Sequence, residues 1–163
     1  QRLYGQFAET TSHEFTPLDI FNIAEGILPG NQGAAQKSFA VFGEVAGSLM
    51  AYCACILDGI IVLGGGLTGA HKYFMPTLLK ELRADLYKLD GTPIPKVPSY
   101  IFDLDEEAQW IPFAQGERKE VEVYGSKRKV VYDPQKRLGI IRSKMGASDA
   151  VAIGAYAYAL NHI

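Results

Sequence analysis

The run Ile60-Ile61-Val62-Leu63 passes without a break into Gly64-Gly65-Gly66-Leu67-Thr68-Gly69, and this junction restricts the fold more than any other stretch of the chain. Four consecutive large aliphatics, three of them β-branched, predict a strand over 60–63 buried on both faces, as in a parallel sheet covered by helices. The glycines predict how it ends. With no Cβ on three successive residues, the backbone can take positive φ and another group can approach it closely. At the carboxyl end of an α/β strand such a turn opens into the crevice where ligands bind, a nucleotide among them. A tight strand-to-helix turn without a ligand uses the same residues, and spacing alone leaves both readings open.

Composition narrows the setting. The 163 residues carry 16 basic and 18 acidic side chains, so a net charge of -2 offers no long-range attraction to nucleic acid or to a membrane surface. The most apolar helical stretch, 39–57, contains Gly43, Glu44, Gly47 and Ser48 and is expected to fall short of an uncharged membrane span. No basic leader followed by an apolar core and cleavage site is visible, and a cytoplasmic location is expected. The sequence opens on Gln1 without an initiator Met, and we expect a piece of a longer protein. Cys53 and Cys55 diverge by about 200° on a helix, so they are expected as buried small hydrophobes that neither bond nor chelate together.

Along the chain, 1–14 shows no clear periodicity, though Tyr4, Phe7 and the following Phe15 predict packing, with a partner that can lie outside the chain. Thr16-Pro17-Leu18-Asp19 reads as a helix start, with Thr16 as N-cap, Pro17 at the first position and Asp19 in the first turn. Pro29-Gly30 ends that helix and Asn31 caps the next, a long one over 32–58. Its apolar face is expected at Phe39, Phe42, Ala46, Leu49, Cys53 and Leu57. Its many small residues, Gly43 and Gly47 among them, permit close approach by a neighbouring helix or by a flat ligand.

Thr68 is expected to cap a helix over 70–88 whose amino terminus points back at the glycines and adds an anion preference there. Three prolines and a glycine over 90–98 predict an irregular connection, and 99–104 a strand. Residues 119–123 and 129–132 have the alternation of a hairpin, 138–141 offer a short strand, and Ser148-Asp149 introduce an alanine-rich helix over 150–160 suited to tight helix packing. Asp103, Asp105, Glu106 and Glu107 are read as a solvated turn and Lys127, Arg128 and Lys129 as a wet hairpin tip. His13, His71 and His162 have no partner at a spacing that marks a metal site or catalytic pair and are assigned structural or solvent roles.

Three segments in this order carry a resemblance: Pro17-Leu18-Asp19-Ile20-Phe21 with Gly30-Asn31-Gln32-Gly33-Ala34-Ala35; Ile61-Val62-Leu63-Gly64-Gly65-Gly66-Leu67; and Gly146-Ala147-Ser148-Asp149-Ala150-Val151-Ala152-Ile153-Gly154-Ala155. The chain resembles the carboxyl-terminal lobe of the ROK family, the bacterial sugar kinases and sugar-responsive repressors. The resemblance covers nearly the whole chain apart from 88–141. The resemblance implies an α/β, ribonuclease H-like (actin/hexokinase-type) lobe over 1–163, incomplete, with a hairpin inserted at about 99–141. It implies ATP with Mg as cofactor, the adenosine side contacted by Gly64, Gly65, Gly66, Leu67 and Thr68, and the terminal helix at the hinge between lobes.

The family's Asp-x-Gly-x-Thr phosphate loop, Asn-Asp pair, Glu-x-Gly-His sugar loop and cysteine-rich zinc segment do not occur in this sequence. In the family they lie upstream, so the Mg site and the catalytic residues are expected outside this chain, which alone is expected to be inactive. The implied partners are the missing amino-terminal part, a hexose and further copies in a homo-oligomer. The hairpin over 119–133 is a place for a dimer contact or subfamily insertion. No membrane is implied, and no nucleic acid unless the chain belongs to a repressor. That repressor lobe, and a non-catalytic structural or adaptor domain, are the alternatives.

Overall fold

The computed structural model describes residues 1–9 and 15–162. Three strands form a parallel sheet in the order β1, β7, β4, where β1 is Ile61–Leu63, β7 is Arg137–Arg142 and β4 is Tyr100–Asp103. The central strand is thus the last in sequence. Its Leu138 and Ile140 join the main core, made with α3 (Gln32–Ile56) and α4 (His71–Leu82) on one face. On the other face a Cβ at Gly139 would sit 2.5 Å from Leu104 and 3.1 Å from Phe113 of α5 (Glu107–Gln115), so glycine lets that helix lie against the strand.

The helix starts follow from local chemistry. Helix α2 (Pro17–Ala24) opens with Pro17 after Thr16, whose hydroxyl accepts from the Asp19 N–H while the Asp19 carboxylate accepts the Thr16 N–H at 2.8 Å, a reciprocal cap. Asn31 caps α3 by accepting the Ala34 N–H at 3.0 Å. Residues 2–8, without evident periodicity, form α1 (Arg2–Ala8). The partner of its aromatics lies inside the chain: Tyr4 is buried, meets Phe15 edge-on and accepts the Asn31 N–H.

Several expectations are corrected. The strand predicted to be buried on both faces is an edge strand among the described residues, and Val62 is 61% exposed. Of the predicted apolar face of α3, Phe39 is buried and Ala46 packs against the core, but Phe42, Leu49 and Leu57 are exposed, and the rest of the buried side is small: Ala35, Gly43, Gly47, Ala51 and Ala54. Cys53 and Cys55 are likewise exposed, and free. By length and a mean hydropathy of 1.7, α3 does reach the range of a membrane span, yet it packs along α1, α2 and α4.

Helix α4 ends at Leu82, short of the predicted 88, and the chain turns at once into β2 (Asp85–Tyr87). That strand pairs antiparallel with β3 (Pro93–Pro95) inside the stretch expected to be irregular. Proline is tolerated there because a two-stranded ladder has outward-facing positions that need no N–H. Strands β5 (Lys119–Glu122) and β6 (Lys129–Tyr132) also pair antiparallel, away from the main sheet. Helix α6 (Ala147–Leu160) starts after Gly146, without the predicted Ser148-Asp149 cap, and every residue in it is exposed. The helix contact expected of its small residues is absent among the described residues.

Candidate functional site

Beyond β1 the chain makes the turn that the glycines require. Gly65 has φ 100° and ψ 178°, a conformation L side chains rarely adopt. A short 3-10 turn, Gly66–Ala70, follows before α4 begins at His71. Thr68 does not cap α4. Its hydroxyl donates back to the Gly65 carbonyl at 2.7 Å, and its N–H donates to the same oxygen at 3.2 Å, which closes the turn on itself. The amino end of α4 therefore stands five residues past the triple glycine and has no side-chain cap.

In front of this turn lies a cleft of about 550 Å³ lined by Gly66, Leu67, Gly69 and Ala70 on one side and Thr16, Pro17, Leu18, Phe21 and Phe39 on the other. A Cβ built on Gly66 or Gly69 meets no atom within 4 Å, so the missing side chains leave open space. Of the five residues singled out in the sequence, Gly66 and Leu67 line the cleft. Gly64 instead faces Ser143, whose Cβ lies 3.9 Å from where its own would be, while Gly65 and Thr68 shape the turn.

The opposite wall was not assigned to the site from sequence. Its signal lay in the capped start of α2, where Leu18 at the second helical position remains 65% exposed, an apolar side chain held at the mouth of the cleft. No charged residue lines the cleft. Apolar walls, with open space above Gly66 and Gly69, suit a flat aromatic ring.

Behind the turn, polar groups brace it. Arg142 at the carboxyl end of β7 donates from Nη1 to His71 Nδ1 at 2.8 Å and from Nε to Asp105 Oδ2 at 2.5 Å. His71 Nδ1 lies 3.2 Å from the Thr68 carbonyl oxygen. With Nδ1 accepting from Arg142 it has no proton for that oxygen, so the histidine read as structural ties the first residue of α4, through Arg142 and Asp105, to the β4–α5 connection. The acidic turn is only partly solvated: Asp103 is buried, and that burial raises its carboxyl above the usual range, with Asp105 and Glu106 adding to the shift. Among the described residues no group of three or more His, Cys, Asp or Glu is placed to hold a metal ion. His162, just past the end of α6, bonds the Tyr158 carbonyl, and His13 lies outside the described residues.

No family model and no curated protein matches the sequence. Among solved structures, the chain is similar to a glucokinase from Parabacteroides distasonis, with 46% sequence identity and a TM-score of 0.78. The match covers 99% of this chain and 43% of the glucokinase, so the chain spans less than half the length of the protein it resembles.

Proposed function

We propose that this chain is the carboxyl-terminal, nucleotide-side lobe of an ATP-dependent sugar kinase, with ROK-type ancestry and a ribonuclease H-like sheet. One observation carries the reading: a chain 46% identical to part of a glucokinase forms an uncharged cleft, with Gly66 and Gly69 in its wall, at the carboxyl end of a parallel sheet. The neighbour's identity favours the kinase over the repressor and adaptor alternatives.

The residues present fit the adenosine half of ATP. Gly66 and Leu67, with Gly69 and Ala70, would hold one face of the base against Leu18 and Phe21, while Gly64, Gly65 and Thr68 keep the turn in shape. The triphosphate with its Mg would supply the transferred phosphoryl group and the charge neutralisation that phosphoryl transfer needs. The cleft offers no cation or base for that chemistry, so the Mg ligands, the general base and the hexose contacts belong to a partner part of the same protein. This chain excludes water from the base and supplies half of a closing cleft. The hairpin of β5 and β6 is a subfamily insertion in this reading, the assembly is homo-oligomeric, and the reaction is cytoplasmic.

The test is a titration of the chain with a fluorescent ATP analogue, competed with adenosine. Saturable binding displaced by adenosine is expected, and binding that adenosine leaves untouched overturns the assignment of this cleft. ATP-dependent phosphorylation of glucose by the longer protein that contains this chain is the second expected result.

A further inference from the structure

The polypeptide leaves β1 for α4, on one face of the sheet, and leaves β4 for α5, on the other, with the end of β7 between the two departures. In an open α/β sheet such a divergence opens a crevice at the carboxyl ends of the strands. Here a cleft of about 610 Å³ occupies that place, and it shares no lining residue with the cleft in front of the glycine turn. Asp103 ends β4, Arg142 ends β7, and both line it.

The two elements that border the cleft bring opposite charges to it. The end of α4 brings Lys80 and Arg83, neighbours three residues apart, and the end of β4 with the turn after it brings Asp103 and Glu106. These charges do not pair across the cleft: among the described residues no ion pair joins either cation to either carboxylate. Arg83 donates instead to the Ile101 carbonyl at 3.1 Å, and Arg142 is held by Asp105 and His71. Asp103 is only 8% exposed, and while its Oδ1 accepts the Asp105 N–H at 3.0 Å, its Oδ2 accepts no hydrogen bond among the described residues. A carboxylate oxygen so deeply placed costs stability until a donor reaches it, and that cost is what raises this carboxyl. The carboxylates here do not converge as a metal-ligand group, so the cation that suits them is an organic ammonium.

We propose that this cleft binds a small zwitterion, with its ammonium against Asp103 and Glu106 and its acidic group, a carboxylate or a phosphate, against Lys80 and Arg83. A simple amine satisfies only the carboxylates and a simple anion only the cations, whereas one molecule carrying both charges satisfies the two sides together. The inference stands apart from the proposed kinase function, because no residue of the adenine cleft takes part in it.

The experiment titrates the isotope-labelled chain and follows the backbone amides of Lys80, Arg83, Asp103 and Glu106 by NMR. The probes are glycine, γ-aminobutyrate and ε-aminohexanoate, carboxylate zwitterions of increasing charge separation, and O-phosphoethanolamine as the phosphate counterpart. Butylamine and butyrate, with a single charge each, are the comparison. At least one zwitterion should saturate these shifts with a Kd at or below about 1 mM, and each single-charge probe should bind about tenfold more weakly or worse. Which acidic group binds more tightly identifies the kind of zwitterion. Asp103→Asn, which keeps the bond to the Asp105 N–H, and Lys80→Gln, at an exposed position, should each weaken binding about tenfold or more. Lys127→Gln at the distant hairpin tip should not, and adenosine should not displace the zwitterion. The proposal is overturned if none of the zwitterions saturates the shifts by about 20 mM. It is overturned equally if butylamine or butyrate binds as well, if Asp103→Asn and Lys80→Gln bind as the parent does, or if adenosine competes. None of these results bears on adenine binding at the glycine turn, which its own titration decides.

Discussion

Gly43 of α3 lies so close to α4 that a Cβ on it would sit 2.2 Å from the carbonyl oxygen of Phe74 and 2.3 Å from the Thr77 hydroxyl. One turn on, a Cβ at Gly47 would lie 2.6 Å from the Leu78 carbonyl oxygen. Backbone rests on backbone here. The Thr77 hydroxyl fixes the crossing by donating to the Ala40 carbonyl at 2.7 Å.

Gly43→Ala is therefore expected to destabilise the chain by about 2–3 kcal/mol, because the overpacking cost exceeds the helix-propensity gain of about 1 kcal/mol. Gly33→Ala in the same helix is the control. Its Cβ would come no nearer than 3.7 Å to Asn31 Oδ1, an ordinary contact, so this change should be neutral or stabilising. The urea unfolding midpoint should fall for Gly43→Ala and hold or rise for Gly33→Ala. A Gly43→Ala midpoint at or above the parent's would show that the helices do not cross this closely.

That crossing also explains why α3 was only half legible in its sequence. Both of its faces are apolar, one built of small residues and one of large, and periodicity alone favours the large one for the core. The small side is the buried one because only glycine and alanine let α4 come near. The ends of α2 and α3 were readable because Thr16, Pro17 and Asn31 act within one turn of themselves. The glycine turn was readable for the same reason, through the positive φ of Gly65. The far wall of the cleft was not, since Leu18 and Phe21 approach Leu67 only through the tertiary fold. The bond from Arg142 to His71 joins residues 71 positions apart, a separation at which no local pattern operates.

Thr16→Ala should cost about 1 kcal/mol, the usual loss when an N-cap hydroxyl is removed, with Thr16→Ser close to the parent. The cap also carries a pH signature. Hydrogen bonds from the Thr16 side chain and backbone hold the Asp19 carboxyl below its ordinary value of 3.8. A carboxyl depressed in the folded state contributes stability above its unfolded value and loses it as pH falls through the folded one. The gap between parent and Thr16→Ala, measured by thermal unfolding, should therefore narrow as pH drops below about 4. A gap that is constant across that range would mean that Asp19 takes no part in the cap.

Asp103 has the opposite sign. Burial lifts its carboxyl above 3.8, so the folded state binds its proton more tightly than the unfolded chain does. The penalty of holding it charged is complete above the raised value and is relieved as pH falls through it toward 3.8. Asp103→Asn removes the charge and keeps an oxygen for the Asp105 N–H, which Asp103 Oδ1 accepts at 3.0 Å. The variant should melt at or above the parent at about pH 7.5, and the two should converge near pH 4. A variant that melts clearly below the parent at the higher pH would show that attraction to Arg83 outweighs burial.

Gly66→Ala separates the fold of the glycine turn from its ligand. Gly66 opens the 3-10 turn without the positive φ of Gly65, and its Cβ would project into open space, so the urea midpoint should not change. The same methyl group enters the cleft that Gly66 lines, where it would meet a bound base, so affinity for an adenine nucleotide should fall about tenfold. Gly65→Val behaves differently. Its φ of 100° is strained for any L residue, so it should lower both stability and nucleotide affinity, and in the longer protein it should weaken ATP binding more than hexose binding. Fluorescence titration beside urea unfolding distinguishes the cases. If Gly66→Ala binds the nucleotide as the parent does, the triple glycine serves the turn alone and the base rests elsewhere.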